Sequence, residues 1–280
     1  MPTLHPAAPA RRRTPRTLAV PVLAALVAAP LVSPLIAHAD IPTGLVAHYV
    51  LDETSGTVAA DSSGNGRDAV YIGSPTLTGS DGVRLDGSDD YVKLPNDLLR
   101  GLSSVTVSAE VLVRSEITGN YFLWNFGNTT NGIGDGYLFA TSSPYRAAIG
   151  IGNWSTEQGP RTESNVPRDE WKTLTYTLDD ASDTSRIYLD GVQVAVNTQT
   201  TTKPGDIGQG TTTANYIGRS AYNADRLLAG SVRDFRLYDR ALSAEEVADL
   251  VYVPPVLDDE QAVDAALAAL SVPNADDVRG

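Results

Sequence analysis

The stretch SVTVSAEVLV at 104–113 places Val105, Val107, Ala109, Val111 and Val113 on alternate positions with mostly polar residues between them. A period of two belongs to extended chain, so the segment is predicted as a strand with one buried face and one wet face. The alternation returns in WKTLTYTL (171–178) through Leu174, Tyr176 and Leu178, and the threonines between them favour strand. In RIYLDGVQVAV (186–196), Asp190-Gly191 has the composition of a type I′ turn and joins Ile187 and Leu189 to Val192, Val194 and Val196 as a hairpin. Shorter strands are expected at 45–51, 83–86, 90–94, 121–126, 137–140, 146–151, 215–218 and 231–238, with Gly, Asn, Asp and Ser at the breaks. A dozen or so short strands without intervening helices bury their apolar faces by stacking. An all-β, two-sheet antiparallel sandwich is therefore expected.

Two kinds of segment depart from this pattern. In RALSAEEVADLVY (240–252), Ser243 is an N-cap, Glu246 stands in capping-box register, and Leu242, Val247 and Leu250 form an apolar stripe. One short helix is expected there, after the last strand. Residues 1–39 carry Arg11, Arg12, Arg13 and Arg16, no acid, a long apolar run and small residues at Ala37 and Ala39. That order describes a secretory signal peptide cut before Asp40, leaving a secreted chain with no membrane span. Loss of those four arginines takes the formal charge from -13 to about -17. The sandwich is assigned to 40–253. Pro254-Pro255 marks a linker, DDEQAVDAALAAL (258–270) reads as a second helix, and 254–280 together read as a linker and the truncated start of a following module.

Much chemistry is ruled out. Without cysteine there are no disulfides, thiolate metal sites or Cys nucleophiles. The acidic balance argues against a nucleic-acid partner, which needs a basic face. Gly-x-Ser-x-Gly, HExxH and P-loop patterns are missing, and after cleavage the one histidine is His48, inside a strand. Glycoside hydrolysis requires two carboxyl groups facing one groove. Acid-x-acid spacing occurs at Asp258 and Glu260, in the linker-helix region, so a catalytic pair would have to come from separate strands.

Acids gather in turns, in DETSG (52–56), DSSGNGRD (61–68), DGSDD (86–90) and LDDASD (178–183). Most read as Asx turns, although Asp and Asn beside Gly are also what Ca²⁺ requires. Among the aromatic residues, Trp171 opens an alternating strand and Trp124 is flanked by Phe122 and Phe126, so both are expected in the core. Trp154 lies in the Gly-rich polar loop GIGNWSTEQGPR, with Tyr145 before Arg146 and Tyr222 in RSAYNAD as similar loop aromatics. Trp154, Tyr145, Arg146 and Tyr222 are the carbohydrate-binding candidates, because sugars are held by exposed rings together with polar groups that read hydroxyls.

Three stretches resemble one family. LVAHYVLDETSGTVAADSSGNGRDAVYIG, VRLDGSDDYVKLP and NYIGRSAYNADRLLAGSVRDFRLYDRALSAEEV are similar, in that order, to laminin-G-like, concanavalin A-like jelly rolls of secreted bacterial type. The resemblance implies a jelly roll over about 45–251. It also implies a structural Ca²⁺ held by Asp61, Asn65 and Asp234, although Arg233 stands where many relatives place an acid. The tail AVDAALAALSVPNADDVRG resembles the start of atypical bacterial Ig-like modules, which in secreted proteins often accompany polysaccharide-degrading domains. The implied role is a non-catalytic carbohydrate-binding or adhesion module, covalently linked to catalytic or Ig-like modules and acting on a polysaccharide or glycan. Hydrolysis within the sandwich and a spacer without a sugar site stand as alternatives.

Overall fold

The computed structural model describes residues 42–251, apart from 117, 118 and 120. The expected signal peptide, the linker and the second helix lie outside the described residues. In chain order the strands are β1 (Leu45–Tyr49), β2 (Val58–Ala59), β3 (Ala69–Ile72), β4 (Thr76–Leu77) and β5 (Val83–Asp86). Next come β6 (Tyr91–Lys93), β7 (Val105–Val113), β8 (Phe122–Thr130), β9 (Ile133–Ser142) and β10 (Tyr145–Gly150). The last are β11 (Trp171–Asp179), β12 (Thr184–Leu189), β13 (Val192–Asn197), β14 (Tyr216–Ile217) and β15 (Ala229–Tyr238), followed by helix α1 (Ala244–Asp249).

These form two antiparallel sheets, a jelly-roll sandwich. Sheet I runs β13-β12-β11-β7-β15-β5-β4, and sheet II runs β10-β9-β8-β14-β6-β3-β2. Strand β15 serves two neighbours on one edge, pairing with β5 through Ala229–Val232 and with β1 through Phe235–Tyr238. Rings from both sheets meet in the middle. Trp124 and Phe126 of β8 lie 6.2 Å from Tyr176 and 6.3 Å from Phe235 respectively, and Tyr49 lies 6.2 Å from Phe235. All five are buried, so the seam carries much of the apolar area that holds the sheets together.

Strand β7 departs from its pattern in an instructive way. The alternating Val and Ala residues face the core as expected, but Thr106, Ser108 and Glu110 on the opposite face are buried too. The reason is position. β7 lies between β11 and β15, and the chain after β15 folds over it. Thr106 Oγ1 donates to Arg240 O at 2.8 Å and accepts from Leu242 N at 2.9 Å, while the Ser108 and Thr175 hydroxyls are 2.8 Å apart. Each buried polar group here has its partner, as burial demands.

Helix α1 starts where the sequence places it. Ser243 Oγ accepts from Glu246 N, the Glu246 carboxylate accepts from Ser243 N, and Arg240 holds that carboxylate at 2.5 and 2.9 Å. Val247 and Leu250 pack with Leu242, Tyr188 and Tyr238 on the outer face of sheet I. The Asp190-Gly191 turn has φ of 49° and 76°, the paired positive values that a type I′ turn requires. On the outgoing arm of that hairpin, Val192, Val194 and Val196 are exposed. β13 is an edge strand, and nothing in the described residues covers them.

Candidate functional site

The outer face of sheet II carries an unusual density of rings. Register places Ala148, Phe139, Asn125, Tyr216, Lys93 and Val70 in one row across β10, β9, β8, β14, β6 and β3. Directly opposed residues share a face, so this row faces away from the core. Two positions along β9 from Phe139, Tyr137 points the same way, and a residue with no side chain makes room above it. A Cβ at Gly134 would run into the rings of both Tyr137 and Tyr222. Gly134 thus lets Tyr222, in the connection between β14 and β15, settle edge-on against Tyr137 with centroids 5.7 Å apart.

Polar groups join these rings into one network. The Tyr137 hydroxyl lies 3.1 Å from that of Tyr222 and donates to Glu157 Oε1 at 3.0 Å. Glu157 Oε2 accepts from Arg146 Nη2 at 2.6 Å, and the Arg146 guanidinium lies 4.9 Å over the Phe139 ring. Burial raises the Tyr137 hydroxyl pKa, and the bonds to Tyr222 and Glu157 raise it further, so it stays a donor. Glu157 closes the short turn Trp154–Thr156, which Asn153 pins by accepting from Ser155 N at 3.0 Å and Ser155 Oγ at 2.7 Å. On that pinned turn Trp154 is 73% exposed. The result is an exposed ring on a hydrogen-bonded turn, three residues before the carboxylate that joins Arg146 to Tyr137 and Tyr222.

Of the four candidates from sequence, Trp154 is exposed as expected, and Arg146 and Tyr222 are drawn together through Tyr137 and Glu157. Tyr145 is corrected. It is not a loop residue but the first of β10, buried, with its hydroxyl donating to Tyr188 O at 3.1 Å and Thr175 O at 3.3 Å. Its ring spans the core and touches no solvent. Trp171, expected in the core, is instead half-buried on the outer face of sheet I under the Arg233 guanidinium, 4.3 Å away. Trp124 is in the core. Tyr137, Phe139 and Glu157 escaped sequence reasoning, because the two rings read as ordinary alternation and Glu157 gains its role from Arg146 and Tyr137 on two strands.

The expected calcium ligands Asp61, Asn65 and Asp234 already make hydrogen bonds within the protein, whereas a calcium shell needs six to eight oxygens converging on one point. Asp61 Oδ1 accepts from His48 N and Ser63 N, both at 3.0 Å, and Oδ2 from Ser63 Oγ and Arg67 N, both at 2.9 Å. Asn65 turns its amide nitrogen to Leu45 O and Val46 O. Asp234, at φ 51° in a bulge of β15, accepts from His48 Nε2 at 2.7 Å and Arg236 Nε at 2.8 Å. Burial alone would raise its pKa, but His48 and Arg236 outweigh that and leave it below the ordinary value. Both oxygens of Asp61 thus accept from protein N–H and O–H donors, while His48 and Arg236 both engage Oδ1 of Asp234. Among the described residues, Asp86, Asp89 and Asp90 are the carboxylates that crowd together, and Asp86 Oδ1 is turned to the backbone N–H groups of Ser88, Asp89 and Asp90, an Asx turn as read.

A second concavity, about 500 Å³, opens on sheet I between His48, Asp52, Ser80, Glu110, Arg233 and Asp234. Its two most enclosed carboxylates are held by cations, Glu110 by Arg233 at 2.6 Å and Asp234 by Arg236. A general acid in glycoside hydrolysis needs a raised pKa. Asp234 is shifted the other way.

No curated protein sequence matches the chain significantly. The solved structures similar to it include domain 4 of AbnA, a GH43 extracellular arabinanase from Geobacillus stearothermophilus, in complex with arabinotriose. That match has TM-score 0.56 and 20% identity and covers 74% of this chain and 98% of that one. Trypanosoma rangeli sialidase matches with TM-score 0.57 and 19% identity, over 75% of this chain but 33% of the enzyme. The binding domain of botulinum neurotoxin serotype C1 matches with TM-score 0.55 and 14% identity, over 74% and 51%. At these identities the likeness is one of fold. Among the described residues no helix is long and apolar enough to cross a membrane. The family model described as the concanavalin A-like lectin/glucanases superfamily, of laminin G type, matches residues 86–248, and the chain belongs to that family.

Proposed function

We propose that the domain is a non-catalytic carbohydrate-binding module of a secreted protein, with its sugar site on the outer face of sheet II. The observation that carries this is the exposed Trp154 on the turn that Glu157 closes, with Glu157 joining Arg146, Tyr137 and Tyr222 into one network. A ring offers an apolar face to the C–H side of a sugar, and fixed charged and phenolic groups beside it read hydroxyls. The arabinotriose-bound domain from an arabinanase supports the same reading, and with it a parent that degrades extracellular glycan. Residues 1–39 supply the export signal in this scheme. Catalysis within the sandwich loses ground because the enclosed carboxylates on sheet I are paired with arginines.

Affinity electrophoresis of the purified chain in arabinan, xylan and glucan gels tests the proposal. At least one polysaccharide is expected to retard it, and Trp154→Ala to weaken that binding about tenfold or more with an unchanged melting temperature. A chain that migrates unretarded in all of them sinks the sugar-binding reading and leaves the spacer. Reducing-sugar release that disappears in Glu110→Gln would place an enzyme on sheet I instead.

A further inference from the structure

The same outer face holds a second group of side chains, on β6 and β14. Tyr91 and Tyr216 meet edge to face with centroids 5.3 Å apart. The Arg219 guanidinium lies 4.7 Å over Tyr91 and 5.0 Å over Tyr216, and Lys93 Nζ lies 5.0 Å over Tyr216 while donating to Thr213 O. The chain has three lysines. Lys172 bridges Glu170 and Asp190, and Lys203 bridges Asp180 and Asp183. Lys93 has no carboxylate within ion-pair distance among the described residues, and neither has Arg219, whose Nη2 donates instead to the neutral Asn223 Oδ1 at 3.0 Å. Burial and the neighbouring Arg219 charge both lower the Lys93 pKa. In a chain with 34 acids and 21 bases, two adjacent half-buried cations are thus left without a counter-charge.

We infer that Tyr91, Lys93, Tyr216 and Arg219 form a subsite for a carboxylate-bearing sugar, a uronate. A guanidinium stacked on rings keeps its N–H edge for a planar anion, and a carboxylate matches that fork. The two tyrosines add apolar ring surface and phenolic hydroxyls for the sugar body. Phe139 and Tyr216 are opposed through Asn125, two strand spacings apart, so the subsite lies about 10 Å from the Arg146 network. Arg219 and Tyr222 come from one loop, pinned by Ser220 Oγ donating to Asp225 Oδ2 at 2.6 Å and Thr129 Oγ1 donating to Ala221 O at 2.6 Å. The assignment rests on the reading of this face as glycan-binding and names the sugar class.

Titration calorimetry of the full chain with tri-galacturonate and with its neutral methyl ester tests it, beside glucuronic-acid-bearing xylan and its carboxyl-reduced form. At least one acid is expected to bind about tenfold or more tightly than its neutral counterpart. That ratio should collapse in Arg219→Gln and in Lys93→Met, with melting temperatures confirming the fold, and should persist in Trp154→Ala. Equal affinity for acid and neutral forms overturns the assignment, as does a ratio unchanged in both variants or binding confined to a sulfated galactan. Binding of neutral glycan through Trp154 without acid preference would end this inference alone. Acid preference through Arg219 with Trp154→Ala silent and no neutral glycan bound would end the Trp154 site and keep this one.

Discussion

The outer faces of the two sheets are built from similar residue types and settle them differently. On sheet I, Glu110 meets Arg233, Asp234 meets His48 and Arg236, Ser108 meets Thr175, and Thr106 closes onto the chain before α1. On sheet II the cations lie on rings, with Arg146 over Phe139 and Arg219 over Tyr91 and Tyr216, and among the described residues Lys93 and Arg219 have no acid within ion-pair distance. The polar groups of sheet I satisfy one another and act as structure. On sheet II Arg146, Glu157, Tyr137 and Tyr222 also satisfy one another, and the difference between the faces lies in Lys93 and Arg219, which are held over rings without a carboxylate partner among the described residues.

Breaking one pair on sheet I is expected to have the largest effect on stability. Glu110→Ala leaves Arg233 beside Trp171 without its carboxylate and should cost about 3 kcal/mol in chemical denaturation with glycan binding intact. A stability unchanged by that variant would erase the contrast between the faces. Ser243→Ala removes the cap of α1, which covers sheet I, and should cost about 1 kcal/mol in the same assay. Acid should erode sheet I next. Arg240 and the Ser243 backbone N–H push the Glu246 pKa from 4.5 down to about 2, so its contribution to stability is present above pH 4.5 and lost as pH falls toward 2. Melting curves of wild type and Glu246→Gln should therefore converge across that window. The smallest expected effect is none: chelator should leave the melting temperature unchanged, because both oxygens of Asp61 and Oδ1 of Asp234 are engaged by protein donors. A fall on chelation would restore a calcium site, since a ligand bound to the native state stabilises it.

Period two made β7, β11 and the β12–β13 hairpin legible, and Ser243 with Glu246 announced α1. Strands β2, β3 and β4 were not read, although β5, β6 and β14, which are no longer than these, were. Tyr145 was misplaced because the Ser-Ser-Pro before it reads as loop, whereas its side chain reaches across the core to the backbone of the opposite sheet. The wet face expected of β7 failed for a related reason. A residue's exposure depends on what later chain covers it, and here that chain is 134 to 136 residues away. The site was half visible for the same cause: Trp154, Arg146 and Tyr222 stand out alone, but Glu157 acquires meaning only where β10 and the β14–β15 connection meet.

That connection, residues 218–228, delivers Tyr222 to one ring cluster and Arg219 to the other while the strands before and after it keep their own pairings. A segment this short is open to replacement by another of different length without disturbing any sheet register. On the proposed reading, exchanging this one loop would alter both the Tyr222 network and the Arg219 cluster, and with them the choice between neutral and charged polymers.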